Sequence, residues 1–174
     1  EEGLFVRIID YKSSRTSLEL ADVYYGLSLQ MLVYLDVVLT YAGQWLGKAA
    51  KPAGVLYFHV HQPLLQKKNA VQADEAEEEL FRQYQMKGLV TADPVVVCAM
   101  DHGLGRGETR SAVIPVALKK DGGFTKSSSV VTPEQWERLR RYVRSEIRSI
   151  GTKITDGRVD ILPYRAGTRT PCRF

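Results

Sequence analysis

The stretch RIIDYKSS, residues 7–14, has the pattern of a β-strand that ends in a charged tripeptide. Apolar residues ahead of the charges predict a strand over residues 4–12. Side chains two positions apart in a strand project to the same side, so we expect Asp10 and Lys12 to lie together at the strand end. One interpretation is a plain exposed ion pair. The other is half of a phosphodiester-cleaving site, in which the carboxylate holds Mg²⁺ while the amine orients or deprotonates a water and offsets phosphoryl charge.

The composition is that of one globular domain. Of 174 residues, 44% are hydrophobic and 25% are charged, which excludes wholesale disorder and allows a real core. No apolar run approaches the roughly 20 residues of a membrane span, and no signal peptide opens the chain, so no membrane association is expected. Two cysteines, Cys98 and Cys172, suit a reducing cytosol. The net charge of +4 permits a polyanionic partner without requiring one.

Helices and strands alternate after the opening strand. Apolar residues at three- and four-residue steps predict a long helix over residues 19–46, with Gly47 as its C-terminal glycine. Pro52 is expected to break the chain before a second strand, GVLYFHVH, residues 54–61.

The second half of the chain continues this alternation. A helix with five acids near its start is predicted over residues 74–86, closed by Gly88. Three further segments have strand-like composition: PVVVCAM (94–100), SAVIPVAL (111–118, an edge or bulged strand because of its proline) and RVDILPY (158–164).

The last helix has the clearest boundaries in the sequence. Thr132 as N-cap, Pro133 at the first helical position and Gln135 at the third predict a capping box, and Gly151 is expected to end the helix. With at most five strands, this order of elements predicts a single α/β domain, residues 1–174, built on a mixed central sheet flanked by helices.

A second polar pair, Gln30 and Tyr34, lies four positions apart on the predicted first helix and therefore on one face. Gly26, one turn earlier, would let a strand or backbone approach closely. A glutamine on an otherwise apolar helix face costs stability unless its amide is hydrogen-bonded. Gln30 is therefore either satisfied at the core edge by a carbonyl or, with Tyr34, contacts the metal-bound phosphate or the strand being cut.

Asp10-Tyr11-Lys12 followed by Gln30-x-x-x-Tyr34 resembles the nuclease domain of the RecB family within the PD-(D/E)XK nucleases. The stretches RIIDYKSS, VYYGLSLQMLVYLDVVL, PAGVLYFHVHQP and PYRAGTRTPCRF are closer still to the C-terminal nuclease domain of the AddB family. Members of that family are the helicase-like second subunits of bacterial AddAB helicase–nucleases. The resemblance covers nearly the whole chain and implies a restriction-endonuclease-like core.

The resemblance implies a role for each matching residue. Asp10 is similar to the second acidic ligand of a Mg²⁺ ion, and the main-chain carbonyl of Tyr11 is an additional ligand. Lys12 resembles the catalytic lysine. Gln30 and Tyr34 match the helix motif that assists at the site and contacts DNA.

Two ligand sets that the resemblance implies are incomplete in this chain. The family has another acid, in a Gly-x-x-Asp strand shortly before Asp-Tyr-Lys, which we expect upstream of Glu1. Cys172 resembles the first of three C-terminal cysteines that, with a distant upstream cysteine, hold a [4Fe-4S] cluster. A cluster needs four thiolates, so we expect none in this fragment, although the parent protein holds one. We therefore expect a nuclease-domain fragment that is truncated at both ends and inactive by itself.

Two histidines on the second strand are further candidate ligands. His59 and His61 share one face of that strand, but no cysteine or acid accompanies them at ligand spacing. We therefore expect no zinc site there. Cys98 is expected to be a small residue in the core.

The C-terminal part of the chain is basic. Between residues 138 and 173 there are ten lysines or arginines and three acids. Three of the arginines fall on one stripe of the last helix: Arg141, Arg144 and Arg148. The stripe is either a solvated helix face or a sequence-independent surface for DNA phosphates.

The function that the resemblance implies is a Mg²⁺-dependent exonuclease acting on single-stranded DNA, on the strand that ends 5′. It would serve double-strand break repair by homologous recombination in the bacterial cytoplasm, with an AddA-like helicase–nuclease subunit as partner and ATP used by motor domains outside this chain. Two alternatives stay open. One is a catalytically inactive nuclease-like module that only binds DNA, and the other is a stand-alone RecB-like exonuclease of phage or defence origin.

Overall fold

The structure is a computed structural model, and it describes residues 3–14, 16–60 and 72–161. The elements in these ranges are β1 (Leu4–Lys12), α1 (Leu20–Tyr24), α2 (Gln30–Leu46), β2 (Ala50–His59), α3 (Ala73–Gln83), β3 (Lys87–Thr91), α4 (Pro94–Met100), α5 (His102–Gly105), β4 (Val130–Val131) and α6 (Pro133–Thr155). Among the helices described, none has the length and apolar character needed to cross a bilayer.

The described strands form one mixed sheet in the order β1-β2-β3-β4. β1 is parallel to β2, β2 is antiparallel to β3, and β3 is parallel to β4. Helices cover both faces. On one face Tyr57 of β2 shares a core with Leu35 of α2 and Trp136 of α6, and on the other Leu56 shares a core with Val97 of α4. The predicted α/β domain with a mixed sheet flanked by helices is confirmed.

Strand β1 has the bounds that the sequence predicted, and its side chains alternate between the two cores. Val6 and Ile8 pack on the core that contains α2 and α6, whereas Ile9 packs on the opposite core. Asp10 and Lys12 continue the even-numbered positions, so they lie at the end of the strand on the α2 side of the sheet.

Pro52 lies inside β2 rather than ahead of it, so the expectation that it breaks the chain before the strand was wrong. It pairs with Val6, and the register between β1 and β2 shifts between Val6 and Arg7, which leaves Ala53 as an extra residue. A proline lacks the N–H that a ladder needs, and a bulge is where a sheet accommodates it.

The predicted continuous helix over residues 19–46 is interrupted. α1 ends at Tyr24 and α2 begins at Gln30, because Gly26 adopts φ +76° and turns the chain. Gly26 therefore serves the turn, and no described atom lies within 4 Å of a Cβ built there, so the expected close approach was wrong. Gly47 ends α2 with φ +71°, as predicted. The interruption makes Gln30 the first residue of α2.

Gly88 does not close α3, which ends at Gln83, but lies within β3. A Cβ at Gly88 would lie 2.1 Å from the carbonyl oxygen of Val55, and its φ is +142°. The glycine is therefore required by the close approach of β2, which the sequence alone does not display.

Residues 94–100, predicted as a strand, form helix α4. Pro94 occupies the first turn, and the Asp93 side chain accepts hydrogen bonds from the main-chain N–H groups of Val95 and Val96. This N-cap and the proline outweigh the strand preference of three consecutive valines.

Residues 111–118 do not form a regular strand either, since only the isolated bridges Arg110–Ala117 and Leu118–Phe124 occur there. The Ser111 hydroxyl accepts from the N–H groups of Val113 and Ile114 and folds this segment back on itself.

Helix α6 has the predicted capping box, with Thr132 and Gln135 exchanging side-chain bonds to the main chain. It continues through Gly151 to Thr155, so the predicted end was wrong. Residues 158–161 have no regular structure, and the remainder of that predicted strand, 162–164, lies outside the described residues.

Candidate active site

The structure brings Asp10 and Lys12 into contact. Nζ of Lys12 lies 2.7 Å from Oδ2 of Asp10, and both side chains are mostly shielded from solvent. Oδ2 is itself buried, and its partner among the described residues is this ammonium, at hydrogen-bonding distance. The contact with Asp10 raises the pKa of Lys12 above the ordinary lysine value, so Lys12 is an ammonium at neutral pH.

The ring of Tyr57 lies beneath Lys12. Tyr57 was not among the site residues predicted from the sequence. Its ring centroid lies 5.7 Å from Nζ of Lys12, and it pairs with Asp10 across the two strands. Burial raises the pKa of the Tyr57 hydroxyl, so the ring stays neutral. The alternation of Val55, Tyr57 and His59 along β2 is a signal that would have placed Tyr57 on one side of the sheet, but not beside Lys12.

Gln30 and Tyr34 lie on one face of α2, as their spacing predicted. Nε2 of Gln30 donates a hydrogen bond to the Tyr34 hydroxyl at 2.9 Å, and both residues are exposed. The raised pKa of Lys12, whose main cause is Asp10, also includes a small electrostatic contribution from Tyr34, so Tyr34 lies within electrostatic range of the ammonium. The Gln30 amide bonds the Tyr34 hydroxyl at the exposed start of α2. The role of both residues at the site stays a prediction.

The main-chain carbonyl of Tyr11 faces away from β2. The Lys12 carbonyl accepts a hydrogen bond from Val60 N–H on the β2 side, and successive carbonyls in a strand alternate in direction. In the described part of the sheet β1 is an edge strand, so no described strand pairs with the Tyr11 carbonyl. The Tyr11 ring projects to the opposite face and packs edge-on against Phe58 at 5.7 Å.

Comparison with known proteins bears directly on this geometry. The whole chain, residues 1–174, matches the family model described as the PD-(D/E)XK nuclease superfamily. The chain belongs to this superfamily. Membership agrees with the mixed four-stranded sheet between helices and confirms the predicted restriction-endonuclease-like fold.

Curated relatives extend the match over the full chain. Proteins from Bacillus licheniformis and Bacillus subtilis are 49% and 47% identical over 173 residues, which is 99% of this chain and 15% of each relative. A protein from Oceanobacillus iheyensis is 46% identical over 174 residues, 100% of this chain and again 15% of the relative. Each is named as one subunit of an ATP-dependent helicase/deoxyribonuclease, the subunit known as AddB, which confirms the resemblance to the AddB family. The chain spans about 15% of the length of these relatives.

Nucleases of this superfamily generally use a divalent metal, and the residues present fit part of such a site. The carboxylate of Asp10 and the main-chain carbonyl of Tyr11 are oxygen donors of the kind that Mg²⁺ prefers. Mg²⁺ commonly takes one or two carboxylates and completes its shell with water. Within residues 3–14, 16–60 and 72–161, no three potential His, Cys, Asp or Glu ligands lie together. Cys172, predicted for an iron–sulfur cluster, lies outside the described residues.

His59 is buried and has a structural contact. Its Nε2 atom accepts a hydrogen bond from the main-chain N–H of Thr16 at 2.8 Å, which ties the loop after β1 to the neighbouring strand. The lone pair of that nitrogen is thereby occupied, so Nε2 of His59 is a poor metal ligand. His61, its predicted companion on the strand, lies outside the described residues.

Arg144, one of the three arginines predicted to contact DNA, forms hydrogen bonds with side chains of α2. Its Nε atom donates to Oδ2 of Asp36 at 2.7 Å and its Nη2 to the Thr40 hydroxyl at 2.8 Å. Arg140 donates to the other carboxylate oxygen, Oδ1, at 2.8 Å. Burial raises the pKa of Asp36, but the hydrogen bonds from Arg144 and Arg140 outweigh it and hold that pKa below the ordinary aspartate value.

The other two arginines of the stripe differ in their surroundings. Arg148 lines a groove between α2 and α6, together with Arg144, Val37 and Ile147. Arg141 is exposed on α6 and does not line that groove. A DNA-binding role for Arg141, Arg144 and Arg148 stays a prediction.

Proposed function

We propose that this chain is the nuclease domain of a helicase–nuclease subunit and that it hydrolyses phosphodiester bonds of single-stranded DNA with Mg²⁺. The observation that carries the proposal is the ion pair of Asp10 and Lys12 at the end of β1, an edge strand of the described sheet. Membership of a nuclease superfamily over the whole chain supports the reaction class.

Each residue of the site has a chemical task in this proposal. Asp10 and the Tyr11 carbonyl would hold the divalent ion, which supplies positive charge for phosphoryl polarisation and water activation when bound. Lys12, as an ammonium, stabilises negative charge that develops on a phosphoryl oxygen and orients the attacking water by donating a hydrogen bond. The Tyr34 hydroxyl accepts from Gln30, so its own O–H remains able to donate to a phosphate oxygen.

The larger assembly is proposed from the relatives. Their name describes one subunit of an ATP-dependent helicase/deoxyribonuclease, which supports a partner subunit of AddA-like helicase–nuclease type and a motor part that uses ATP. We propose that this domain trims the strand ending 5′ during resection of double-strand breaks for homologous recombination in the bacterial cytoplasm. Residues 1–174 would then be one domain of that subunit. Cys172 would be one of four ligands of a [4Fe-4S] cluster in the intact protein.

The test is Mg²⁺-dependent cutting of end-labelled strands by the full-length subunit with its partner. Asp10→Ala and Lys12→Ala should each reduce cutting of the 5′-ended strand by roughly a hundredfold or more, because each removes a charge used in the transition state. Lys51→Ala, which removes an exposed lysine near the other end of the same strand pair, should cut like the wild type. Unchanged cutting in either site variant would overturn the nuclease assignment and favour a module that only binds DNA.

A further inference from the structure

Two exposed tyrosines lie in the chain segment that connects β1 with α2, the two elements that carry the candidate active site. Tyr24, the last residue of α1, is 65% exposed, and Tyr25, which follows it, is 57% exposed. Tyr142 of α6 lies against them. We refer to Tyr24, Tyr25 and Tyr142 as the tyrosine platform. A cluster of large aromatic rings at a protein surface commonly marks a binding site.

The rings of the tyrosine platform are held in fixed orientations. Tyr24 stacks on Tyr142 with ring centroids 6.0 Å apart and planes at 12°, and Tyr25 meets Tyr24 edge-on at 5.2 Å. The Tyr142 hydroxyl also donates a hydrogen bond to the main-chain carbonyl of Tyr24. A ligand that stacks on such rings loses little affinity to ordering of the side chains.

The tyrosine platform is connected to the candidate site through the core and through the chain. Val23, one residue before Tyr24, is buried in the same core as Leu29 and Tyr57, and the Tyr57 ring lies beneath Lys12. Tyr24 precedes Gln30 by six residues, which bounds their separation at about 20 Å even for a fully extended chain. The α1 turn makes the true separation shorter.

We propose that the tyrosine platform stacks the bases of the single strand that enters the Asp10–Lys12 site. The inference rests on the proposed nuclease function and adds how the substrate is held. Every base has a π-face, so stacking on tyrosine holds any sequence, as an exonuclease that degrades arbitrary DNA requires.

Both signs of charge lie near the platform. Arg138 is exposed and precedes Tyr142 by one helical turn on the same face of α6, and Glu146 follows Tyr142 by one turn and acts on its hydroxyl. Cations beside aromatic rings are the usual arrangement for single-stranded DNA, in which phosphates meet the charges while bases meet the rings. A protein partner would use the apolar area of the rings instead, and the experiment separates the two ligands.

The first arm measures steady-state cutting of single strands by the full-length subunit with its partner. Tyr24→Ala should raise KM about five- to a hundredfold with little change in kcat, because it removes a stacking contact and leaves Asp10 and Lys12 in place. Tyr24→Phe should behave like the wild type, and Tyr24→Leu like Tyr24→Ala. Folding should survive in Tyr24→Ala, since the Tyr142 hydroxyl bonds the main chain of residue 24. Trp45→Ala is the control, because Trp45 is an aromatic residue near the end of α2 that is 56% exposed and does not line the groove that contains Arg144 and Arg148.

The second arm does not depend on cutting. An oligonucleotide containing 5-iodouracil is irradiated with the Asp10→Ala complex without Mg²⁺, and cross-linked peptides are identified by mass spectrometry. A cross-link at Tyr24 or Tyr25 supports the proposal. Absence of that cross-link, or a Tyr24→Ala variant that keeps its KM but loses subunit association, overturns it. If Asp10→Ala still cuts DNA, the nuclease proposal fails while the cross-link still reports on the tyrosine platform.

Discussion

Nζ of Lys12 lies 2.7 Å from Oδ2 of Asp10, one strand position beyond Tyr11, at the end of an edge strand of the described sheet. The carboxylate therefore has two tasks in the proposed reaction, because it orients the ammonium and also serves as the candidate ligand for a divalent ion. The two tasks can be separated by experiments that measure metal binding apart from cutting.

Asp10→Asn should weaken the binding of a divalent cation by at least about tenfold, because a neutral amide replaces the one carboxylate identified in the described part of the site. The measurement is Mn²⁺ binding to the full-length protein by electron paramagnetic resonance, without nucleotide. Asp22→Asn, which neutralises an acid on α1, is the control and should bind Mn²⁺ like the wild type. Equal affinity of Asp10→Asn and wild type would show that Asp10 is not a metal ligand.

Tyr34→Phe should lower kcat by up to about tenfold and change the free energy of unfolding by less than about 1 kcal/mol. The substitution removes only the hydroxyl that accepts from Gln30 and is proposed to reach a phosphate oxygen. Tyr41→Phe is the control, because Tyr41 lies two turns further along α2 and the two tyrosines are 48% and 47% exposed. If both variants lose kcat equally, the effect belongs to the helix rather than to the site.

Those parts of the site that follow from local periodicity were predictable from the sequence. A period of two puts Asp10 and Lys12 on one side of β1, and a spacing of four puts Gln30 and Tyr34 on one face of α2. The position of Tyr57 beside Lys12 depends on the register between β1 and β2. Register is set by packing across the sheet, so no local pattern reveals it.

The errors in the fold have local or long-range physical causes. Pro94 and the Asp93 cap convert a valine-rich run into α4, and the positive φ of Gly26 divides the long helix. In both cases turn and cap chemistry outweighed the hydrophobic pattern. The contact of Asp36 with Arg144 joins residues 108 positions apart, and the sequence displays it only as a charge on an amphipathic helix.

Asp36→Asn should loosen the contact between α2 and α6 at neutral pH. Because the pKa of Asp36 is lower in the folded chain than its ordinary value of 3.8, the pairs with Arg140 and Arg144 stabilise the fold above that value. The stabilisation is lost as the pH falls through the folded-state pKa. Amide hydrogen exchange in α6 of the full-length protein should therefore be roughly tenfold faster in the variant at pH 7. The variant and wild type should converge as the pH falls through the folded-state pKa of Asp36.

The matched control for this pair is Glu137→Gln. Glu137 also contacts Arg140, at 2.9 Å, but its side chain is 62% exposed, and exposed ion pairs contribute little. Exchange in α6 should change less than about threefold in this variant. A difference between Asp36→Asn and wild type that does not shrink as the pH is lowered through the acid range would contradict a role for the ionised carboxylate.

Gly88→Ala should disrupt the pairing of β2 with β3 by more than about 3 kcal/mol, because the new Cβ would lie 2.1 Å from the Val55 carbonyl oxygen at a φ of +142°. Hydrogen exchange of the amides of β2 and β3 in the full-length protein should lose protection. Gly43→Ala is the counterpart, since no described atom lies within 4 Å of a Cβ there and the residue is inside α2. It should stabilise the helix by about 0.5–1 kcal/mol. Equal protection in both variants would contradict the close approach of the strands.

Arg141→Ala and Arg144→Ala should differ in what they change, although both residues lie on the stripe predicted to contact DNA. Arg141 is exposed, so its removal should reduce the magnitude of the slope of log K against log salt for single-strand binding by about 0.7. Hydrogen exchange in α6 should stay as slow as in the wild type. Arg144 is held by Asp36 and Thr40, so its removal should speed hydrogen exchange in α6 while changing the slope less. Binding is measured by fluorescence anisotropy of a labelled oligonucleotide from about 50 to 200 mM salt, without Mg²⁺. A larger change of slope in Arg144→Ala than in Arg141→Ala would show that the pair with Asp36 opens to admit a phosphate.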